Sequence, residues 1–200
     1  MLPREVRIIG GSWKRTKLPV VDRPGLRPTP DRVRETLFNW LGQTLDGWRC
    51  LDAFAGSGAL GFEAASRGAG EVILLERDPA AAASLRATKT RLGAAMCQVE
   101  RSDALQWMAR AAEASFDLVF LDPPFESALL GPALPAAGRL VRPGGYVYVE
   151  AAAPVDAAAA GPEMEPFRDG RAGAVRFQLL RRAPIGQSLH SADTEGSPVP

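Results

Sequence analysis

Two hundred residues, 46% of them hydrophobic, suffice for one globular domain with a sizeable core. No apolar run approaches the roughly 20 residues that span a bilayer, and the start lacks the apolar stretch of a secretory signal. The net charge of +1 conceals a split, because residues 1–50 carry 10 Lys+Arg against 5 Asp+Glu and the remainder carries 14 against 18. A basic front on a mildly acidic body points to a partner that bears phosphates. Cys50 and Cys97 each sit in an apolar, strand-like segment. That placement predicts reduced, buried thiols in a cytoplasmic protein, with no disulfide framework and no zinc site.

Val6-Arg7-Ile8-Ile9 and Leu18-Pro19-Val20-Val21 flank a Gly-Gly segment and predict a short hairpin. Between them, Trp13-Lys14-Arg15-Thr16-Lys17 sets three cations beside an aromatic ring. An exposed ring there would stack on bases while the cations meet phosphate, as single-stranded nucleic acid requires. The alternative is a hairpin whose Trp13 folds onto the body. Residues 1–24 are accordingly taken as a basic hairpin extension, 25–183 as the main domain and 184–200 as a disordered tail rich in Ser, Gly and Pro. His190, the only histidine, falls in that tail and is not expected to be catalytic.

Thr29-Pro30 supplies an N-cap and a first helical residue. Val33, Leu37, Trp40 and Leu41 follow at helical spacing as one apolar stripe, with Arg32, Arg34, Glu35 and Asn39 on other faces. From Arg49 the pattern alternates. Strands are predicted near 50–54, 71–76, 96–101, 117–121 and 144–149, with helices near 59–68, 79–92, 103–113 and 127–141. Ala174–Leu180 reads as a last strand, whereas Ala157–Ala160 carries little information. Such alternation implies an α/β fold with a parallel sheet and helices on both faces.

Leu51-Asp52-Ala53-Phe54-Ala55-Gly56-Ser57-Gly58-Ala59-Leu60-Gly61 runs from a strand into a helix and contains a Gly-x-Gly-x-x-Gly fingerprint. Glu76, at the next strand's end, suits ribose hydroxyls. A pyrophosphate over this loop would be repelled by Asp52, whereas the ammonium and sulfonium of S-adenosylmethionine would be attracted. The electrostatics therefore favour S-adenosylmethionine over NAD as the cofactor. Asp103, after the third strand, is placed to accept from an adenine amine, and it also fits as the N-cap of the following helix.

The buried strand Leu118–Leu121 ends in Asp122-Pro123-Pro124-Phe125. Proline cannot donate to a sheet ladder, so the strand must stop. Each proline also holds its predecessor extended, leaving a stiff rim with one carboxylate, free carbonyls and one ring. The plainer possibility is a turn whose Asp122 caps the next element and whose Phe125 is core. Because all these strand ends meet one crevice, the rim is predicted to be an active site.

Asp52-x-Phe54-x-Gly56-Ser57-Gly58, Glu76 and Asp122-Pro123-Pro124-Phe125 resemble the class I methyltransferases that modify exocyclic amines. Arg7-Ile8-Ile9-Gly10-Gly11, Lys17-Leu18-Pro19, Leu26-Arg27-Pro28-Thr29 and the run from Asp31 to Leu41 are similar to the RsmD family, which methylates a guanine N2 in bacterial 16S ribosomal RNA. The resemblance covers residues 5–180. It implies a Rossmann-like fold with a mostly parallel seven-stranded sheet. It further implies that Asp122, the Pro123 carbonyl and Phe125 hold the guanine, and that Asp52, Phe54, Gly56, Gly58, Glu76, Arg77 and Asp103 hold S-adenosylmethionine. Arg7, Trp13, Lys14, Arg15, Lys17 and Arg32 are the expected RNA contacts. Where the family often has Arg-Gly-Arg after the tryptophan, this chain has Lys14-Arg15-Thr16. The expected protein is a monomer without a metal, acting on ribosomal RNA or the small subunit. The alternatives are an adenine-N6 or other amine methyltransferase, a non-catalytic RNA-binding assembly factor and an NAD-linked oxidoreductase.

Overall fold

The computed structural model describes residues 5–21, 29–124, 127–173 and 175–186. A two-stranded antiparallel hairpin, β1 (Glu5–Arg7) and β2 (Lys17–Pro19), pairs Val6 with Leu18. Helix α1 (Asp31–Leu41) then leads to the main body. There β3 (Arg49–Asp52), α2 (Ala59–Ser66), β4 (Glu71–Leu75), α3 (Pro79–Leu92), β5 (Cys97–Glu100), α4 (Ala104–Arg110), β6 (Phe116–Leu121), α5 (Leu130–Leu140) and β7 (Val141–Ala151) follow one another. The antiparallel pair β8 (Met164–Ala172) and β9 (Val175–Arg182) closes the chain.

The sheet has seven strands in the order β5-β4-β3-β6-β7-β9-β8. β3 to β7 are mutually parallel, and β9 runs antiparallel to both its neighbours. From β3 the chain winds outward through β4 and β5, then crosses back to β6 and winds the other way. The carboxyl ends of β3 and β6 therefore flank the switch point where open α/β sheets bind ligands.

Both faces of the sheet are covered, and β6 is apolar except at Asp117, which accepts the Arg49 N–H at 2.8 Å. Leu118 and Phe120 join one cluster with the hairpin, α1 and α2, while Val119 and Leu121 join the other with α4 and α5. Side chains alternate across a strand, so a strand covered on both sides is apolar at nearly every position. Both cysteine thiols are free and buried, and burial pushes each well above its ordinary range, Cys97 to about 12. Neither is a nucleophile at neutral pH.

Several expectations are corrected. Helix α1 starts at Asp31 with Pro30 in the cap position, and no side chain caps it. Thr29 is buried and turned elsewhere. Arg34 is not on an outer face of α1 but fully buried, and Phe38 joins the buried stripe. The strand predicted from 144 begins at Val141, which pairs with Phe116, and Arg142–Gly145 bulge out of the register before pairing resumes at Tyr146 opposite Leu118. Strand β8 was not foreseen. It is an edge strand with Pro166, Gly170 and an irregular register, so it lacks the apolar alternation that marks a strand. Ala157–Ala160 forms a 3-10 turn packed so closely on α5 that a Cβ at Gly138 would collide with the Ala160 carbonyl. His190 and most of the expected tail lie outside the described residues.

Candidate active site

Cys50 of β3, Phe120 of β6 and Tyr148 of β7 all project to the side of the sheet that carries the hairpin and α1. Two residues further along each strand stand Asp52, Asp122 and Glu150, so strand alternation aims three carboxylates into the same layer. Asp52 is 2% exposed, and its Oδ2 accepts the Gly61 N–H at 2.9 Å, tying the strand end to α2. Burial pushes this carboxyl up to about 7, against the backbone hydrogen bond from Gly61, and the charge of Glu76 adds to the rise. Half-buried Asp122 accepts the Thr29 hydroxyl on Oδ2 at 3.1 Å. Burial holds Asp122 well above the usual carboxylate range, Glu150 and Asp52 push it further, and the Thr29 hydrogen bond opposes them.

Glu150 is buried as well, and its Oε1 accepts the Tyr148 hydroxyl at 2.9 Å. Burial raises it, while Thr29, Tyr148 and the positive charge of Arg34 pull the other way. Beside it, Pro123, Pro124 and Glu150 line a pocket backed by Ser127, Leu130 and Ala151. Pro123 and Pro124, the residues that follow Asp122 in the predicted rim, thus border a cavity. Phe125 lies outside the described residues.

The loop after β3 turns through Gly56 and Gly58, at φ +51° and +77°, before α2 begins. A Cβ on Gly58 would come within 2.5 Å of Phe62 and 2.7 Å of Leu85, so packing as well as backbone sign requires glycine. Glu76 accepts the Gly56 N–H at 3.1 Å on one oxygen and the Asp78 N–H at 2.7 Å on the other. It therefore supports the loop it was expected to work beside. Asp103 caps α4 through the Gln106 N–H at 3.0 Å. Phe54 is half-buried and Arg77 exposed. Asp52, Gly56, Gly58, Glu76 and Asp103 stand at the carboxyl ends of adjacent strands. This donor set of carboxylates and backbone groups suits a ligand with cationic and hydroxyl groups, and it disfavours a pyrophosphate.

On the hairpin, the second of the two possibilities holds: the Trp13 ring is half-buried against the core, and the Trp13 backbone N–H donates to Ser66 Oγ at 2.9 Å. Arg7, Lys14, Arg15, Lys17 and Arg32 are exposed. Arg7 pairs with Asp31 and Lys17 with Glu5, both at 2.7 Å. The Thr16 N–H closes a turn on the Trp13 carbonyl at 3.0 Å, and Arg15 stands at φ +72° within it. With Lys14 at φ −47° and ψ 135°, this is a type II turn bearing arginine where glycine is usual.

Four residues escaped the sequence reading. Thr29 was assigned to capping, and Arg34 looked like one of several helix-surface cations. Tyr148 read as plain strand, although Glu150 ends that strand as Asp122 ends its neighbour and the same rule would have found it. Arg34 is tied to fully buried Glu63, whose Oε2 lies 3.5 Å from its guanidinium. Glu63 also binds Arg67 at 2.8 Å and accepts the Ile9 N–H at 2.7 Å. Ser66 donates to the Gly10 carbonyl at 2.6 Å. Together these bonds fasten the hairpin and α1 to α2, the helix that begins at the glycine loop.

The model for the family described as Conserved hypothetical protein 95 matches residues 6–181. The chain is similar to Ribosomal RNA small subunit methyltransferase D of Escherichia coli (strain K12), 40% identical over 190 residues, covering 92% of this chain and 93% of that one. It is 44% identical over 151 residues to the protein of the same name from Haemophilus influenzae, covering 73% and 78%. Among solved structures, yhhF from Escherichia coli superposes with a TM-score of 0.79 at 37% identity, covering 90% of this chain and 98% of that chain.

Proposed function

Because the chain belongs to the family of Conserved hypothetical protein 95, the RsmD family, we propose that it transfers a methyl group from S-adenosylmethionine to the exocyclic N2 amine of a guanine in 16S ribosomal RNA. It is a ribosomal RNA methyltransferase, and that substrate places its work in the cytoplasm. The observation that carries the site assignment is the Asp122-Pro123-Pro124 corner, which ends β6 beside Asp52 at the sheet's switch point.

Asp52, Phe54, Gly56, Gly58, Glu76, Arg77 and Asp103 are proposed to hold S-adenosylmethionine. Bound there, it supplies a methyl group on a positively charged sulfur. A cation in this crevice stabilises the ionised forms of Asp52 and Asp122, which burial and mutual repulsion otherwise disfavour. Guanine N2 is a weak nucleophile because its lone pair is delocalised into the ring. The Asp122 carboxylate and the Pro123 carbonyl accept its two hydrogens, which localises the lone pair and fixes its direction. Phe125 stacks on the base. Orientation and preorganised charge then supply most of the acceleration. A paired base cannot reach this corner, so the guanine must be unstacked or in a loop.

Lys14, Arg15, Lys17, Arg7 and Arg32 are proposed as phosphate contacts that carry no sequence information themselves. Trp13 has its place in docking the hairpin, with part of its ring left to meet RNA. The test is methyl transfer to small ribosomal subunits from cells lacking the protein, followed by identification of the modified nucleoside. N2-methylguanosine supports the assignment, and N6-methyladenosine would move the activity to the adenine-modifying class.

A further inference from the structure

Glu150 has no part in the scheme above, yet it lines the same pocket as Pro123 and Pro124 of the reacting corner. β6 and β7 are parallel with Leu121 opposite Val149, so Asp122 and Glu150 are the next residues on neighbouring strands. Both project to the face where Thr29 sits. The Thr29 hydroxyl donates to Asp122 at 3.1 Å and also bears on Glu150, favouring its anion, although its one hydrogen serves one carboxylate at a time. Thr29 lies between the hairpin and α1, so the basic front of the chain reaches into this pair.

We propose that Glu150 and Asp122 work as a carboxylate pair, with Asp122 receiving the proton that the methylated amine sheds and Glu150, through Thr29, acting on it as a positioning residue. This rests on the amine-methylation reading. As the new N–C bond forms, the C–S pair stays on sulfur. The nitrogen, momentarily cationic, gives one hydrogen to Asp122 as a proton and keeps its own pair. Asp122 later yields that proton to water.

The surroundings divide the two roles. Glu150 faces the Tyr148 hydroxyl, the Thr29 hydroxyl and the charge of Arg34 from α1, all of which favour its anion. Asp122 faces Thr29 as its one favourable contact and the carboxylates of Glu150 and Asp52 as unfavourable ones. More groups favour the Glu150 anion than the Asp122 anion, so Asp122 is the partner assigned the incoming proton. Without Glu150, Asp122 would be a weaker base, still raised by burial and by Asp52 but less so.

The experiment is the pH profile of single-turnover methyl transfer to small ribosomal subunits, paired with carbon-13 NMR titration of the Asp122 carboxyl in protein without the donor. Glu150→Gln moves the acid limb and the Asp122 midpoint down by about one pH unit or more. It lowers the plateau rate about tenfold or more. Thr29→Val moves both midpoints up, because it removes the hydrogen bond that favours the anion, and Thr29→Ser keeps them where the wild type has them. Affinity for S-adenosylmethionine stays within twofold throughout. Slower transfer with an unmoved limb and midpoint in both Glu150→Gln and Thr29→Val overturns the proposal and leaves Glu150 structural. Absence of transfer by the wild type would instead overturn the amine-methylation reading.

Discussion

Glu63 and Asp122 are both carboxylates withdrawn from water, and they keep opposite company. Glu63 sits between two guanidiniums, Arg34 and Arg67, and also accepts a backbone N–H. Asp122 has a hydroxyl on one oxygen and two further carboxylates, Glu150 and Asp52, as neighbours. A buried charge that is matched inside the protein serves the fold. Buried carboxylates set against one another cost stability, and in a crevice they mark a site that favours a cationic ligand. The two regions meet across α1 and α2, where Arg34 touches the first set and bears on the second.

If that contrast is correct, exchanging the residues separates function from folding. Asp122→Ala lowers methyl transfer by about a hundred- to ten-thousandfold while S-adenosylmethionine binding, measured by calorimetry, is nearly unchanged. Joint loss of binding and transfer would mean that Asp122 belongs to the donor site. Glu63→Gln removes the charge shared by two buried guanidiniums, leaving Arg34 with Asp31 and Arg67 with Gln43, and costs about 3 kcal/mol of stability, read from denaturant unfolding. A change near zero there would show that water already satisfies the network.

Asp52→Asn probes the boundary between the two kinds of carboxylate. The asparagine carbonyl still accepts from Gly61, so the loop stays anchored while the charge is lost. Donor affinity falls about tenfold, near 1.4 kcal/mol. In the wild type that affinity rises with pH as Asp52 ionises around 7, and in Asp52→Asn this rise disappears. The linkage sign runs the same way for folding. The folded state holds the Asp52 proton more tightly than the unfolded chain, so its contribution falls as pH rises from about 4 to 7 and then levels off. A wild-type affinity flat across this window would place Asp52 away from the donor. The smallest effect is expected on the hairpin. Arg15→Gly relieves a left-handed backbone and stabilises the protein by about 1 kcal/mol, yet it reduces the salt slope of RNA binding by about one phosphate contact. An unchanged slope would make the turn purely structural.

Much of this was legible before any coordinates. The alternation of strands and helices, the glycine loop and the proline corner are local patterns, and local patterns survive into the fold. β6 was readable because a strand covered on both sides runs apolar without a break from Leu118 to Leu121. β8 was not, because an edge strand with a proline and a glycine looks like a loop. Arg34 escaped because its partner Glu63 lies 29 residues away on another helix. Thr29 escaped because a threonine before a proline and a helix matches a cap so well that its bond to Asp122, 93 residues on, goes unasked. Pairings at that separation are decided by topology, and a single sequence does not print them.

The most direct test of the central claim is nucleoside analysis after incubating labelled S-adenosylmethionine with small ribosomal subunits from cells that lack this protein. The wild type should place the label in N2-methylguanosine, and Asp122→Ala, with its donor affinity intact, should place almost none. Label in another nucleoside, or equal labelling by Asp122→Ala, would contradict the account.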